Sequence, residues 1–229
     1  MKILAIDSSS TVASVAVSEN EKLLGEYTVN HKLTHSQRLL PMIDELLKSL
    51  NMKVSDIDVF AVSSGPGSFT GLRIGIATVK GLAFVENKPT VAVSGLEAMA
   101  YNQTYTDYYI CPIMDARHGQ VYNAVYKRFR GTLKTVFPPE AIEIEKVISR
   151  LNALGGKVLF MGDGVLPNLE IIKTMGKNAV MAEFNNNMQR GASVALAAWK
   201  KAVKGEFTPA ESLNALYLRK SQAEREFGK

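Results

Sequence analysis

Ser63-Ser64-Gly65-Pro66-Gly67-Ser68-Phe69-Thr70-Gly71-Leu72-Arg73-Ile74-Gly75 is the segment from which the rest of the chain can be read. Ahead of it, Ile57 to Ser63 is short and apolar, the pattern of a buried strand. The Gly-Pro-Gly run ends that strand, and a helix begins near Phe69 and continues to about Val85. Strand, tight turn and helix form one unit of an α/β fold. Within the helix, Leu72, Ile74, Ile76, Val79, Leu82, Phe84 and Val85 point in nearly every direction, with charge confined to Arg73 and Lys80. A helix that is apolar almost all round is buried almost all round. This pattern suits a central core helix. It also suits a helix partly covered by another chain, and that is the reading taken here. On it, Gly71 and Gly75 leave bare backbone where a second helix can approach.

Outward from this unit, Lys2 to Asp7 reads as a buried strand ending in an acid and Ser8-Ser9-Ser10, and Val12 to Ser18 and Leu23 to Val29 as two more. Thr34 with Gln37 has the spacing of a capping box, opening a helix over residues 34–50 with Leu39, Leu40, Ile43, Leu46, Leu47 and Leu50 at helical intervals. Pro41 inside it removes one backbone bond, so a kink or irregular first turn is expected. Pro89 to Val93 is a fifth strand, followed by a short helix from about Gly95. After a polar stretch, Tyr109 to Met114 ends at Asp115 as the first strand ends at Asp7. Val121 to Phe129 and Leu133 to Phe137 follow as strands, then a helix over roughly Glu140 to Leu151, a strand Val158 to Met161, the turn Gly162-Asp163-Gly164, and a helix from Gly191 to about Val203. Three meandering strands, then helix, strand, helix, strand, with the theme repeated, is the order of an α/β actin-like ATPase (ASKHA, ribonuclease H-like). This duplicated fold has two lobes, here expected at residues 1–104 and, reduced, 105–229.

Composition narrows the class. A 46% hydrophobic fraction with no apolar run of roughly 20 residues fits a globular protein without a membrane span. The single cysteine, Cys111, has no internal partner, so a reducing cytoplasm is the expected location, and the first residues are too short an apolar run for a secretion signal. The net charge of +5 invites a nucleic-acid reading. Yet the densest basic cluster is Lys127, Arg128 and Arg130, and aromatic residues do not alternate with the cations along the chain as a stacking platform requires. A solvated basic surface explains the charge equally, and composition leaves contact with nucleic acid open.

Three stretches are similar to the TsaB (YeaZ) family: Ile3 to Ser9 with His35 to Pro41; the Gly65 to Gly75 segment, the most specific; and Asp115-Ala116-Arg117-His118-Gly119-Gln120-Val121-Tyr122, supported by Gly162 to Gly164 and Tyr217-Leu218-Arg219-Lys220. The resemblance implies a non-catalytic scaffold of the machinery that places threonylcarbamoyl on the tRNA adenosine next to the anticodon. Such a chain pairs with the transferase TsaD, supports recruitment of the ATPase TsaE and of tRNA, and forms a homodimer when alone. The interface expected is on helices 34–50 and 69–86, through Leu39, Leu40, Ile43, Leu47, Gly71, Leu72, Arg73, Gly75, Ile76, Val79 and Leu82. TsaD-like enzymes hold a metal with an HxxxH motif where this chain has Gly95 and Met99. Neither replaces an imidazole, so neither metal nor transfer activity is expected here, and ATP, ADP and metal belong to the partner subunits.

In actin-like folds two loops embrace phosphates, and the resemblance assigns them here to Asp7, Ser8 and Ser9 and to Asp115 and Gly119, with Gly162 and Gly164 on the adenosine side. Ala116, Arg117 and His118 stand where ATPases of this fold place glycines, so weak or vestigial nucleotide binding is expected; structural turns explain the same residues. Arg73 and Arg117 are candidates for contacts at the cleft or with a partner's nucleotide. His31 and His35 also read HxxxH, but they precede or straddle the first helix and lack a third ligand, so a cap and a surface role are expected. The alternatives are a metal- or ATP-dependent enzyme of the same superfamily, either a glycoprotease-like peptidase or a small-molecule kinase. The missing metal set and the degenerate second loop count against them.

Overall fold

In the computed structural model the described residues are 1–31, 34–104 and 106–219. Two five-stranded mixed sheets carry the chain, built from β1 (Lys2–Asp7), β2 (Val12–Glu19), β3 (Lys22–Asn30), β4 (Val59–Gly65) and β5 (Thr90–Ser94), then β6 (Tyr109–Asp115), β7 (Gln120–Phe129), β8 (Thr132–Glu143), β9 (Val158–Met161) and β10 (Ala179–Met181). Their orders, β3-β2-β1-β4-β5 and β8-β7-β6-β9-β10, are the same order twice. In each sheet the central strand pairs antiparallel with its successor and parallel with the strand that follows the first helix. The repeat read from Asp7 and Asp115 is therefore a repeat of topology.

Helices α1 (His35–Ser49), α2 (Phe69–Glu86), α3 (Gly95–Ala100), α4 (Ile144–Leu154), α5 (Leu169–Lys173) and α6 (Gly191–Ala202) cover the sheets. Strand alternation decides which covers what. Leu4, Ile6, Val15 and Val62 face α1 and α2, while Ile3, Ala5, Val59 and Val91 face α6. A division at residue 104 separates the two sheets, but α6 packs back across β1 and β2 of the first. Between the lobes α3 touches both sheets and α6, with Leu96 and Met99 buried against Ile110, Met114 and Met161. The second lobe is reduced because the five residues of α5 stand where the first lobe has the eighteen of α2.

Three local expectations change. Thr34 is the N-cap of α1, but its hydroxyl bonds the Gln37 side chain at 2.9 Å and no backbone amide, so the reciprocal capping box does not form. The helix runs unbroken through Pro41. The helix expected from Glu140 starts at Ile144, because β8 continues through Pro138 and Pro139 to Glu143. An edge strand tolerates prolines that an inner strand cannot, and β8 is an edge.

The turn before α2 fixes the approach of that helix. Ser68 caps it, accepting from Gly71 N at 3.3 Å. A Cβ at Gly67, Gly71 or Gly75 would lie closer than 3 Å to Ser8 or Ser9, whereas one at Gly81 would meet open space. Gly75→Ala should therefore destabilise the chain by about 1–3 kcal/mol. Gly81→Ala should stabilise it by about 0.5–1 kcal/mol. Urea unfolding of both variants checks the pair, and equal effects would contradict the packing.

Candidate functional site

Strands β1 and β6 end at Asp7 and Asp115, and the charges of both act on Asp163. Asp7 is fully buried; its Oδ1 accepts from the Ser9 amide at 2.9 Å and the Ser9 hydroxyl at 2.6 Å, while Oδ2 has no partner. Ser63 Oγ is also buried, near enough to Asp7 to act on its carboxyl but without the geometry of a full hydrogen bond. Burial raises the Asp7 carboxyl from 3.8 to about 6, against the lowering effect of Ser9, Ser63 and His35. Asp163, between Gly162 and Gly164, is likewise raised to about 6 by burial, and the charges of Asp115 and Asp7 add to that; its Oδ1 accepts from the Asp115 amide at 3.2 Å. Asp163 thus lies within electrostatic reach of both Asp7 and Asp115. Asp163 joins the flanking glycines as a site residue, and an acid inside a Gly-x-Gly turn is its signal in the sequence.

The hydroxyls of the first loop and the Ser9 amide are already engaged. Ser8 Oγ donates to Gly71 O at 2.9 Å, Ser9 uses amide and hydroxyl on Asp7, and Ser68 N donates to Ser9 O at 2.6 Å. Ser10 Oγ donates to Gln189 Oε1 at 2.9 Å, a buried pair that nothing in the sequence pattern announced. His35 is neither cap nor free surface: its Nε2 meets Ser10 O at 2.7 Å and its ring lies against Gly71. His31 is exposed. In the second loop Arg117 and His118 hold φ of 62° and 53°, the left-handed backbone that glycine adopts freely, followed by Gly119 at 71°. Gly162 and Gly164 pack against the backbone of Ile113.

The interface expectation needs revision at most of its residues. Leu39, Ile43, Leu47, Leu72, Ile76 and Val79 are buried in this chain's own core, and Leu82 is partly buried against it. Gly71 and Gly75 admit Ser8 rather than a second helix. The missing cover for α2 comes from the chain's own C-terminal segment: Leu213 is fully buried in the α1–α2 core and Lys80 Nζ donates to Glu211 O at 3.3 Å. That segment continues as a strap. Leu216 N donates to Ser64 O at 2.7 Å, Tyr217 stacks on Phe69 at 4.3 Å, and Arg73 sits 3.9 Å over Phe69 while its Nε donates to the Tyr217 hydroxyl at 3.1 Å. Arg219 then reaches the carbonyls of Ala116 and Arg117, tying the first lobe to the second loop. Lys220 lies outside the described residues. On the outer faces of α1 and α2, Leu40, Phe84 and Val85 remain exposed.

The raised carboxyl has a consequence in pH. Below about pH 4 Asp7 is protonated folded or unfolded; from there to pH 6 the unfolded chain ionises first, so stability falls as pH rises, by ~3 kcal/mol in all. Asp7→Asn should remove that part of the fall, leaving the variant more stable than wild type at pH 7.5 and not at pH 4. Urea unfolding at the two pH values checks this.

Against known proteins, a family model described as TsaD, tRNA N6-adenosine threonylcarbamoyltransferase, matches residues 22–224. The tRNA threonylcarbamoyladenosine biosynthesis protein TsaB of Bacillus subtilis (strain 168) is 32% identical over 225 residues, covering 98% of this chain and 96% of its own length. The crystal structure of a Pseudomonas aeruginosa protein with similarity to peptidase YEAZ superposes with a TM-score of 0.81 at 28% identity, over 95% of this chain and 99% of that one. Component A of the (R)-2-hydroxyglutaryl-CoA dehydratase of Acidaminococcus fermentans gives a TM-score of 0.52 at 14% identity, over 89% of this chain and 99% of that one; it shares the actin-like fold alone. With the glycine-rich turn, the paired acidic strand ends and these likenesses in hand, the chain belongs to the TsaB (YeaZ) family, within the wider grouping that the TsaD model describes.

Proposed function

We propose that this chain is the non-catalytic partner of a threonylcarbamoyl transferase acting on tRNA, pairing with a TsaD-type enzyme and supporting recruitment of a TsaE-type ATPase. The observation that carries the reading is the state of Gly95 and Met99, the positions where the transferases it resembles place two metal-holding histidines. A Cβ on Gly95 would crowd Ser63 Oγ at 2.7 Å, and Met99 is 1% exposed, its sulfur turned toward Gly162. A hydrogen and a packed thioether are poor ligands for a borderline or hard cation. The spent donors of the Ser8–Ser9 loop support a second part of the reading, that nucleotide binds this chain weakly. Phe84 and Val85, 85% and 78% exposed at the end of α2, are the apolar groups offered to the transferase, or to a second copy when the chain is alone.

The chain should co-purify with the TsaD-type enzyme of its own organism, and transfer to tRNA should require both. Phe84→Glu should abolish co-purification while leaving circular dichroism and unfolding unchanged; Ile76→Glu would not serve, because Ile76 is core. A preparation of this chain that modified tRNA by itself would end the proposal. Calorimetry with ADP on the isolated chain should give a dissociation constant weaker than about 0.1 mM, and a micromolar constant would refute the weak-binding part.

A further inference from the structure

Along the sequence the aromatic and basic residues do not alternate, but the second sheet brings them together. Lys127 and Phe129 lie on one face of β7. Lys127 is paired opposite Tyr109 on β6 and opposite Lys134 on β8. Its Nζ lies 4.3 Å from the Tyr109 ring centre, and Phe129 is approached by Lys134 at 5.0 Å and by the Arg130 guanidinium at 5.3 Å. Phe129 is 55% exposed at the hairpin tip. Beside this cluster Lys157 lies 5.3 Å over Tyr108, while its carbonyl accepts from the Tyr109 amide.

Two features mark this surface. Lys48, Lys146 and Lys173 each pair with a carboxylate a turn away on a helix. Among the described residues no carboxylate pairs with Lys127, Arg130 or Lys134, and the sequence has none between Asp115 and Glu140. Asp107 lines, with Arg128 and Arg130, an adjoining cavity of about 340 Å³. In addition, Lys127 directly opposite Lys134 is a like-charge cross-strand pair, which works against the sheet. A polyanion relieves that repulsion, and one with flat, unpaired bases also covers the exposed ring. An acidic protein segment answers the charges but not the phenyl face.

We propose that this face of the β7–β8 hairpin binds unpaired nucleotides of RNA, with Phe129 as a stacking platform and Lys127, Arg130 and Lys134 on the phosphates. The assignment rests on the reading that the chain works on tRNA, and it names the surface that meets that substrate.

The test is fluorescence anisotropy with full-length protein and three probes: an unmodified tRNA transcript, a uridine oligomer of about 12 nucleotides, and an RNA duplex of the same length. The triple variant Lys127→Glu, Arg130→Glu, Lys134→Glu should weaken binding of tRNA and oligomer at least tenfold and lower the slope of log affinity against log salt by about 2. Phe129→Ala should weaken the oligomer about tenfold and the duplex little. A control with Lys48→Glu, Lys146→Glu and Lys173→Glu carries the same charge change on other surfaces and should bind as wild type. Equal losses in both triple variants would reduce the effect to bulk charge and overturn the proposal, as would unchanged affinity in the hairpin variants. Co-purification with the transferase, run in parallel, separates the two readings. Failure of the wild type to co-purify counts against the partner role alone. Loss of co-purification in the hairpin triple variant with RNA affinity intact would make the hairpin a protein-docking surface instead, overturning the RNA assignment.

Discussion

The close approach of the Ser8–Ser9 backbone to the first turns of α2 is the constraint on which the rest of this molecule is built. Three glycines on the α2 side make room for it, and the Ser8 hydroxyl and the Ser68 amide close it with hydrogen bonds. The contact sets the direction in which α2 leaves β4. It also sinks Asp7 beneath the turn, where water cannot reach the carboxylate, and so raises its affinity for a proton.

That geometry also bears on chemistry. A phosphate-gripping loop works through amides and hydroxyls that point at empty space. Here the Ser8 hydroxyl and the Ser9 amide and hydroxyl point at the protein. Arg117 and His118, held in a backbone better suited to glycine, fill the opposite loop with side chains, and Arg219 anchors that loop from behind. The Ser8 and Ser9 side chains are thus spent inside the protein, while Leu40, Phe84 and Val85 and the cations of the β7–β8 hairpin lie on its surface.

Much of this was legible from residues alone. Nine of the ten strands among the described residues fall where alternating or apolar runs end at turn residues, the short β10 having no such run to mark it, and Asp7 and Asp115 announce the duplication. What stayed hidden was non-local. A helix apolar on every side was correctly read as needing cover, yet nothing in Ala210 to Leu213 says that it returns to supply it. The glycines of α2 advertise a near neighbour without saying whether it is a foreign helix or Ser8. Pro138-Pro139 looked like a strand's end because edge position is a property of the sheet, not of the segment. Charge and aromatic content failed to signal a surface because cross-strand pairing, not sequence spacing, places Lys134 beside Phe129.

The return of α6 to the first sheet has a temporal side. Ile3, Ala5, Val59 and Val91 emerge from the ribosome early, yet the residues that cover them, Val194 to Ala198, are synthesised only after the whole second sheet. For most of translation the nascent first lobe has one face covered by α1 and α2 but still lacking Leu213, and one face with no helix on it. Its long-range contacts must wait for chain completion. In that interval its apolar surface is most open to other chains.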